Sequence, residues 1–538
     1  MTSEHRTGRP TGPRAVLVGL PGAGKTTVGR ALAARLGTDF LDTDDAVETA
    51  AGLTIAEYFR LHGEAAFRDL EHDVVTRALT EHDGVLALGG GAVLDPRTRR
   101  TLLACPVVLL EIDVAEAVDR LGGSHDRPLL AGDPRARLAG LRAEREPLYR
   151  EVARIVVDAG GPADEVAARI AARVPNRIAV GTGPDSYDVV VGRGLDGAVV
   201  RAAAGARRAF LAHAPTTAGL AQRLTDAMEA AGIRVVGHEL PDAERAKTIE
   251  TVTACWDRLA DERFGREDVV VGVGGGATTD VAGFIAATWL RGVRVVNVPT
   301  TLLGMVDAAL GGKTGINTSA GKNLVGSFHP PAAVVCDLDA LGSLPPVDLR
   351  AGLAEVVKCG FIADPEILRL VEADGACAAT EVGSPVLREL VERAVAVKAR
   401  VVGEDLREAG MREILNYGHT FAHALELVED FTWRHGDAVA VGMVFVAELA
   451  HAAGLLDAAV ADRHRQVLTA LGLPTTYRGA SWDQLAEAMS RDKKVRGGEL
   501  RFVVLTDVGA PTVLRAPDPE HLAAAFAAVA GDDADNRP

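Results

Sequence analysis

The feature that most constrains this 538-residue sequence is a glycine-rich phosphate-binding motif near its N-terminal end. The apolar run AVLVGL leads into GLPGAGKTT and then into the amphipathic run VGRALAARLG. Residues Gly19 to Thr26 match G-x4-G-K-[ST] in the strand–loop–helix context that this motif requires. Backbone N–H groups at such a helix N-terminus bind phosphate, Lys25 can reach the β- and γ-phosphates, and the Thr26 hydroxyl can ligate Mg²⁺. The motif therefore predicts a nucleoside-triphosphate site in an α/β domain.

Acidic, basic and glycine residues follow in positions that could surround a phosphoryl acceptor. The run FLDTDD ends a second predicted strand, and alternation along a strand would put Asp42 and Asp44 on one face. In the predicted helix EAAFRDLE, Arg68 and Glu71 lie one turn apart. A third predicted strand breaks into the glycine triplet 89–91, which suits a close approach of the backbone to a ligand.

Two more arginines could also contact the phosphoryl donor or its acceptor. Arg127, in DRPLL, follows a Gly-Gly pair that suits a mobile lid, and Arg145 lies on a late predicted helix. Each feature alone is common at structural positions. In this order, and together with the phosphate loop, they resemble shikimate kinase across the whole first domain. A gluconate-type or nucleotide kinase is the alternative, since it shares the phosphate loop but not the complete set.

This resemblance implies a parallel sheet like that of the nucleoside-monophosphate kinases, and a role for each matching residue. Bidentate arginines suit the shikimate carboxylate, and phosphoryl transfer depends on positioning and charge neutralisation. The implied catalytic residues are Lys25, Asp44 and Arg127. ATP would be bound by Gly22, Ala23, Gly24, Lys25, Thr26, Thr27, Arg120 and Arg127. Shikimate would be bound by Asp44, Arg68, Gly90, Gly91 and Arg145. Mg²⁺ would be bound by Thr26 and, through water, Asp42.

A short break, VPNR, separates this pattern from a second and unrelated one. We predict a disordered tail over residues 1–13, the kinase-like domain over 14–174 and a second domain over 175–538. Within the second domain, strand and helix alternate over 177–340, and the pattern is helical over 345–538. The complete fold is thus α/β in the first domain, followed by an α/β half and an all-α half.

Composition limits the partners and the compartment. The formal net charge of −16 argues against a nucleic-acid surface, which would be basic. No apolar run is long enough and free enough of charge to cross a membrane, and the polar N-terminus is not a signal peptide. Five scattered cysteines without a C-x-x-C pair indicate a reducing compartment. We therefore predict a cytoplasmic protein that acts on small molecules.

Lysine is scarce, although the chain has 58 basic residues. A compact ammonium is expected to persist where a planar guanidinium does not fit. Most of the lysines adjoin Gly, Asn or Asp rather than lying on ordinary charged helix faces, which predicts phosphate or carboxylate contacts. The eight are Lys25, Lys247, Lys313, Lys322, Lys358, Lys398, Lys493 and Lys494.

A glycine-rich turn follows a predicted strand in the second domain. Gly272, Gly274 and Ala277 fit a loose G-x-G-x-x-A pattern, in which a pyrophosphate would lie at the N-terminus of the next helix. A single match of this kind is only a weak indication of a dinucleotide. The polar, glycine-rich run 295–323 comes next, and long irregular loops inside an α/β domain are usually functional.

Three histidines further along suggest a metal site. His419 and His423 lie four residues apart on one predicted helix face, and His435 follows a short aromatic break. Such a pair alone is more often structural, since this is not the H-E-x-x-H motif. Upstream, Glu355 lies one turn from Lys358 in an apolar helix, where a carboxylate needs a partner. A zinc site with an open position is the resulting hypothesis.

The second domain resembles 3-dehydroquinate synthase over essentially its whole length. The resemblance is carried by GVGGGATTDVAGF, PTTLL, VDAALGGKTGIN, GKNLVGSFH, AGLAEVVK, LNYGHTFAHALE and HGDAVAVGM. It implies that Zn²⁺ or Co²⁺ binds Glu355, His419 and His435. NAD would be bound by Glu244, Lys247, Gly274, Gly275, Gly276, Asp280, Thr300, Thr301, Asp307, Lys313 and Lys322. The substrate would be bound by Asp307, Lys313, Lys322, Asn323, Lys358, Lys398, Arg412, Asn416, His423 and Lys493 or Lys494. Catalysis would involve Lys313, Lys358, Arg412, Asn416 and His423.

The implied reaction converts 3-deoxy-D-arabino-heptulosonate 7-phosphate into 3-dehydroquinate and phosphate, with NAD regenerated in each turnover. With the first domain, this describes a bifunctional enzyme of aromatic amino-acid (chorismate) biosynthesis, and a homodimer formed through the second domain is compatible with it. Other sugar-phosphate cyclases share the metal and NAD motifs. Metal-dependent polyol dehydrogenases would not need so many phosphate-facing lysines. A fusion with one degenerate, regulatory half is the remaining alternative. Ala308 and Ala309 replace serines that are common in the family, which affects the surroundings of the site but no implied ligand.

Overall fold

The computed structural model describes residues 12–121, 133–319, 321–407, 410–495 and 500–531, without the side chains of 491–495. The chain forms two compact units. Among the described residues, the first unit consists of residues 12–177 together with Gly192–Ala204, and the second unit of Ile178–Val191 and the chain from Gly205 onward. The predicted tail lies, up to residue 11, outside the described residues, and the predicted domain boundaries remain predictions.

The first unit is built on a five-stranded parallel sheet in the order β2-β3-β1-β4-β5. Its central strand is buried on both faces: Ala15 and Leu17 pack into one core cluster, while Val16 and Val18 pack into another. The strands are β1 (Ala15–Val18), β2 (Phe40–Asp42), β3 (Val85–Ala87), β4 (Val107–Glu111) and β5 (Ile155–Asp158). The helices are α1 (Lys25–Leu36), α2 (Thr43–Ala51), α3 (Ile55–Glu81), α4 (Pro96–Leu102), α5 (Val114–Leu121), α6 (Pro134–Val152), α7 (Ala163–Ala171) and α8 (Asp196–Ala202).

One prediction about this unit is wrong. Asp42 and Asp44 do not share a strand face, because β2 ends at Asp42 and α2 begins at Thr43. The Asp42 carboxylate accepts the backbone N–H of Asp44 at 3.1 Å and caps the helix. Asp44 therefore lies in the first turn of a helix. In addition, Gly63 has φ 77° and interrupts α3.

The second unit begins with a seven-stranded sheet in the order β6-β7-β14-β11-β10-β8-β9. The pairs β9–β8, β8–β10, β10–β11 and β11–β14 are parallel. The chain leaves β8 and β10 in opposite directions across the sheet, and the carboxyl ends of such neighbouring strands form a crevice for ligands. The strands are β6 (Asn176–Val180), β7 (Tyr187–Gly192), β8 (Arg208–His213), β9 (Arg234–Glu239), β10 (Val269–Gly274), β11 (Arg294–Pro299) and β14 (Ala333–Asp337). An antiparallel hairpin, β12 (Lys313–Thr318) and β13 (Gly321–Phe328), precedes the last of them.

The C-terminal half of the second unit is helical, as predicted, and also contains the antiparallel hairpin β15 (Arg501–Asp507) and β16 (Ala510–Arg515). Its longest apolar helices, α12 and α17, are buried along most of their length. The helices of the second unit are α9 (Ala218–Ala230), α10 (Ile249–Asp261), α11 (Gly276–Thr288), α12 (Pro346–Ile362), α13 (Pro365–Glu372), α14 (Cys377–Thr380), α15 (Pro385–Glu404), α16 (His419–Val428), α17 (His435–Ala452), α18 (Ala458–Ala470), α19 (Trp482–Val495) and α20 (Pro519–Val529). Within the described residues, no helix has both the length and the apolar character needed to cross a bilayer.

Candidate active sites

The phosphate loop of the first unit opens into a cavity of about 580 Å³. The loop connects β1 to α1, and Gly22 and Gly24 take positive φ values of 86° and 83° so that the backbone can turn around the site. Ala23 packs into the core instead. The cavity is lined by Pro21, Gly22, Gly24, Lys25, Thr26, Thr27, Val28, Asp42, Asp44, Leu88, Arg120, Leu121, Gly161 and Ala163. Most of the ATP-binding residues expected from the sequence therefore share one cavity.

Two polar contacts order the floor of this cavity. The Thr26 hydroxyl donates to Asp42 Oδ2 at 2.7 Å, which joins the two groups expected to hold Mg²⁺. Lys25 Nζ donates to the carbonyl of Gly19 at 2.9 Å. At the other wall, Arg120 donates to the carbonyl of Ala159 at 2.9 Å. Arg127, which the sequence assigns to a lid, lies outside the described residues.

The expected acceptor residues meet beside the cavity. Arg68 Nη1 donates to Glu71 Oε2 at 2.6 Å, and Arg145 Nη1 donates to the carbonyl of Gly90 at 3.0 Å. Burial raises the pKa of Glu71, and the charge of Asp44 raises it further, while Arg68 and Arg145 lower it. The two arginines and the two carboxylates therefore form one electrostatic cluster.

The glycine triplet runs very close to these side chains. A Cβ atom on Gly89 would lie 2.3 Å from Asp44 Oδ1, and one on Gly91 would lie 2.6 Å from Arg68 Nη1. Burial raises the pKa of Asp44, with a further contribution from Asp42 and an opposing one from Lys25. Glycine at these positions therefore leaves room for the groups that face the acceptor.

Tyr149 was not identified from the sequence. Its hydroxyl donates at 2.7 Å to the carbonyl of Gly90, which also accepts from Arg145. The Thr43 hydroxyl accepts the backbone N–H of Gly89 at 3.1 Å. Hydrogen bonds to α6 and to α2 thus hold the glycine turn on both sides. The spacing of Arg145 and Tyr149, four residues apart on one helix face, is the signal that could have identified the tyrosine.

In the second unit, the residues expected to bind NAD surround the carboxyl end of β10. The Lys247 ammonium donates to Asp280 Oδ2 at 2.6 Å and also to Asn323, while Glu244 accepts from Asn317 at 2.7 Å. Burial raises the pKa of Asp280 to about 6, against the lowering effect of Lys247. One polar network therefore connects the edge of the sheet with the β12–β13 hairpin.

The glycine turn after β10 leads directly into α11. Gly274 accepts the backbone N–H of Thr300 at 2.9 Å. A Cβ on Gly275 would lie 3.2 Å from Thr301 Cγ2, and one on Gly276 would lie 2.8 Å from the Cβ of Ala308. α11 begins at Gly276, and the first backbone N–H groups of a helix have no partner within the helix, which suits a pyrophosphate.

Asp307 lies on a single π-helical turn, Gly304–Ala308. Such turns are rare and occur frequently at functional sites. Lys398 Nζ, from α15, donates to the carbonyl oxygen of Asp307 at 2.6 Å and to its carboxylate. Burial acts to raise the pKa of Asp307, but Lys398 and Lys358 together outweigh it and hold that pKa at about 2. Burial in turn lowers the pKa of Lys398.

Glu355, His419 and His435 converge from three helices: α12, α16 and α17. Glu355 Oε1 lies 3.2 Å from His419 Nε2 and 3.5 Å from His435 Nε2. This oxygen is buried and accepts no well-formed hydrogen bond within the described chain. One carboxylate and two imidazoles whose ligand atoms all lie within 4.8 Å of one another fit a divalent cation and leave coordination positions open.

Both histidines are oriented through their second nitrogen. His419 Nδ1 lies 3.1 Å from the carbonyl of Tyr417, and His435 Nδ1 lies 3.3 Å from Glu426 Oε2. Such partners fix the ring so that Nε2 faces the cation. Glu426 lies one turn after His423, but the sequence patterns indicated no role for it.

Lys358 is fully buried and forms an ion pair with the other carboxylate oxygen of Glu355. Burial acts to lower the pKa of Lys358, but Glu355 and Asp307 outweigh it and raise that pKa. The ammonium group of Lys358 therefore interacts electrostatically both with Asp307 on the π-helical turn and with Glu355 of the candidate metal site.

Of the remaining predicted substrate residues, His423 contacts this cluster. Buried Arg412 donates to the carbonyls of Leu406 at 2.7 Å and Gly311 at 3.3 Å, two residues before Lys313. The His423 ring lies 5.4 Å from that of His419. Asn416 is half-buried, three residues before His419. The side chains of Lys493 and Lys494 lie outside the described residues.

Lys322 contacts an aromatic ring that the sequence did not predict. Its Nζ lies 3.8 Å from the centroid of Phe431, in the loop between α16 and α17. Burial acts to raise the pKa of Glu426, but His435, His423 and, with the smallest effect, Lys322 together lower it. The hairpin that carries Lys322 therefore contacts the loop that precedes His435.

Comparison with known proteins covers both units. Family profiles described as shikimate kinase, 3-dehydroquinate synthase N-terminal and 3-dehydroquinate synthase C-terminal match residues 21–175, 237–351 and 352–495. A 3-dehydroquinate synthase of Corynebacterium glutamicum is 54% identical over 362 residues, which cover 67% of this chain and 99% of that protein. A solved 2-epi-5-epi-valiolone synthase of Streptomyces hygroscopicus, with NAD⁺ and Zn²⁺ bound, is 29% identical with a TM-score of 0.58, covering 65% of this chain and 98% of that one. A solved shikimate kinase of Acinetobacter baumannii, in complex with shikimate, is 39% identical with a TM-score of 0.29, covering 30% of this chain and 90% of that one.

Proposed function

The chain belongs to the 3-dehydroquinate synthase family and carries a shikimate kinase domain before it. From this premise we propose that each of its two sites catalyses a different reaction. The first unit phosphorylates shikimate with ATP. The second unit converts 3-deoxy-D-arabino-heptulosonate 7-phosphate into 3-dehydroquinate and phosphate. Both reactions serve the biosynthesis of aromatic amino acids through chorismate, in the cytoplasm.

The kinase assignment rests on the cavity in which the phosphate loop and Asp44 face each other. Lys25 and the backbone N–H groups of the loop bind the phosphates of ATP, and Thr26 with Asp42 would hold Mg²⁺, which when bound supplies positive charge to the phosphates. Arg68 and Arg145 bind the carboxylate of shikimate. Asp44, whose pKa is raised by burial, orients the attacking hydroxyl.

The synthase assignment rests on the buried cluster of Glu355, His419 and His435. These residues would hold Zn²⁺ or Co²⁺, which when bound supplies a Lewis acid at the substrate hydroxyls. Lys358 lies against Glu355 and offers a buried positive charge to the substrate.

We propose that NAD and the phosphate group of the substrate bind next to that cluster. The network of Lys247, Asp280 and Glu244 with the turn after β10 would bind NAD, which supplies a transient hydride acceptor. Lys313 and Arg412 neutralise the charge of the leaving phosphate. His423 is exposed beside the cluster and serves as a proton relay on the phosphate side.

A different sugar-phosphate cyclase is the second candidate for this unit. The valiolone synthase shares the fold at 29% identity, whereas several relatives named 3-dehydroquinate synthase are 54–57% identical. The higher identity favours the heptulosonate phosphate as substrate. Phosphate release from that substrate, compared with release from other sugar phosphates, distinguishes the two candidates.

The two assignments are tested by crossing variants and assays on the full chain. Lys25→Met is expected to reduce shikimate phosphorylation by at least about 100-fold and to leave phosphate release from the heptulosonate phosphate unchanged. Glu355→Gln is expected to do the reverse. If either variant impairs the activity of the other unit, or spares that of its own, the corresponding site assignment is wrong.

We also propose that the second unit forms a homodimer through β13. In the described chain this strand pairs only with β12, and it exposes the side chains of Leu324, Val325 and Phe328. An exposed apolar edge strand promotes association with another chain. Light scattering should give a dimer for the intact protein and a smaller mass for Leu324→Asp. An unchanged mass in that variant would exclude this interface.

A further inference from the structure

His464 is a fully buried histidine that takes no part in the sites described above. It lies on α18, and its ring stacks on Phe361 of α12 with centroids 3.6 Å apart and planes 8° from parallel. Its Nδ1 lies 2.8 Å from the carbonyl of Val460, and its Nε2 lies 2.8 Å from the hydroxyl of Tyr417. Both ring nitrogens are therefore paired inside the core.

The directions of these hydrogen bonds follow from the groups involved. A carbonyl only accepts, so His464 Nδ1 carries the proton and donates to Val460. Burial lowers the pKa of His464 to about 4, so the ring is neutral near pH 7 and Nε2 is an acceptor. The Tyr417 hydroxyl must then donate to Nε2. A tyrosine hydroxyl, with its ordinary pKa of about 10, is protonated at pH 7 and can donate.

The backbone of the same tyrosine orients a metal-site histidine. The carbonyl of Tyr417 accepts from His419 Nδ1 at 3.1 Å, so His419 Nε2, 3.2 Å from Glu355 Oε1, keeps its lone pair for a cation that both atoms would bind. We propose that His464 is a positioning residue of the metal centre: through the Tyr417 hydroxyl it fixes the carbonyl that sets the tautomer and angle of His419.

A second contact connects His464 with the carboxylate ligand. Phe361, on which the imidazole stacks, lies on α12 six residues after Glu355, or about 9 Å along the helix axis. The ring of His464 is thus held against the helix that supplies Glu355 while its Nε2 holds the segment that supplies His419. Because His464 makes both contacts, it controls the distance between Glu355 and His419, two of the three proposed ligands.

This inference rests on the proposed metal site, and the experiment is arranged so that the two can fail separately. Full-length protein is stripped of metal, and its affinity for Co²⁺ is measured by calorimetry together with the visible absorption of the bound ion. If the unsubstituted protein does not bind Co²⁺ at one site, the proposed metal site itself is wrong. Shikimate phosphorylation by the first unit of the same chain serves as an internal measure of intact protein.

His464→Phe keeps the stacking on Phe361 but removes the acceptor. We expect it to weaken Co²⁺ binding about ten-fold, at the lower end of the range for residues that orient ligands, and to change the absorption spectrum of the bound ion. Tyr417→Phe removes the donor of the same hydrogen bond and is expected to have the same effect, which provides a test should His464→Phe not fold. His451→Phe, on the exposed surface of α17, is the matched control and should bind Co²⁺ normally.

The double variant separates positioning from general stability. Combining Tyr417→Phe with His464→Phe removes both buried polar partners at once, so the free energy of unfolding should recover relative to either single variant. The affinity for Co²⁺ should not recover, because the carbonyl of residue 417 remains unanchored. Unchanged Co²⁺ affinity and spectrum in the single variants, or an affinity that recovers with stability in the double variant, would overturn the proposal.

Discussion

Gly91 leaves room for the guanidinium of Arg68, which we propose binds the carboxylate of shikimate. A Cβ atom there would lie 2.6 Å from Nη1 and 2.9 Å from Nη2 of Arg68, so Gly91→Ala displaces the guanidinium. A charge-assisted hydrogen bond contributes about 1.5–3 kcal/mol, so the KM for shikimate should rise roughly ten- to one-hundred-fold. Gly140→Ala on α6 is the control, since no described atom outside its own helix lies within 4 Å of that Cβ. Equal KM values in both variants would contradict the assignment of Arg68.

His464 should also make stability depend on pH. Its pKa is about 4 in the fold and about 6.5 in an unfolded chain, so unfolding takes up a proton between these values. Stability is therefore lost as the pH falls below about 6.5. Between pH 7.5 and 5 the metal-free protein should lose about 2 kcal/mol more than His464→Phe does.

Urea unfolding followed by tryptophan fluorescence measures this difference. All four tryptophans, Trp256, Trp289, Trp433 and Trp482, lie in the second unit, so the signal reports that unit alone. His451→Phe should show the pH dependence of the unsubstituted protein. A pH dependence that His464→Phe leaves intact would mean that His464 is protonated in the fold.

Sequence reasoning at the residue scale succeeded where a motif specifies both spacing and chemistry. Glu355, His419 and His435, which the family resemblance implied as ligands, do lie together, whereas the helix period alone pairs His419 with His423. Asp44 was misplaced because a strand that ends at an N-capping aspartate looks, in sequence, like a strand that continues. His464 was missed because a lone histidine in a helix carries no signal of the distant tyrosine that it meets.

The loop between α16 and α17 is the element in which backbone strain accompanies a charged contact. Asp430 and Phe431 take positive φ values of 50° and 57°, which non-glycine residues rarely adopt. The strained backbone presents the Phe431 ring to Lys322. A cation–π contact of about 0.5–1 kcal/mol would be lost in Phe431→Ala, so the KM for the heptulosonate phosphate should rise about two- to five-fold. Leu427→Ala, which removes an exposed side chain at the end of α16, should leave the KM unchanged; a similar rise there would indicate a general loss of order.

Elements with regular periodicity were predictable, and irregular ones were not. The strand–loop–helix around Lys25 and the helix of Glu355 follow from local patterns of apolar residues. The π-helical turn Gly304–Ala308 has no such pattern, because it depends on Lys398 from a helix about ninety residues later. Likewise, α3 is broken at Gly63. Glycine also occurs within unbroken helices, so its presence in the sequence does not predict this break.

At the scale of the whole molecule, metal removal should affect the two activities differently. A cation bound at 100 times its dissociation constant stabilises the fold by about 2.7 kcal/mol. Chelation should therefore lower the urea midpoint reported by tryptophan fluorescence and abolish phosphate release. Shikimate phosphorylation, assayed after excess Mg²⁺ is restored, should persist. A midpoint that does not respond to chelation would mean that the cluster holds no structural or catalytic cation.

The burial of the lysines has a consequence for chemical labelling. Lys247, Lys358 and Lys398 are almost completely buried, while Lys313 and Lys322 are exposed. On most proteins an amine-reactive dye or cross-linker decorates a lysine-rich surface at random. Here most basic residues are arginine, and the exposed Lys313 and Lys322 are among the residues proposed to bind ligands, so an amine-directed reagent should report largely on the occupancy of the proposed sites. ATP or the heptulosonate phosphate should shield this protein from such reagents.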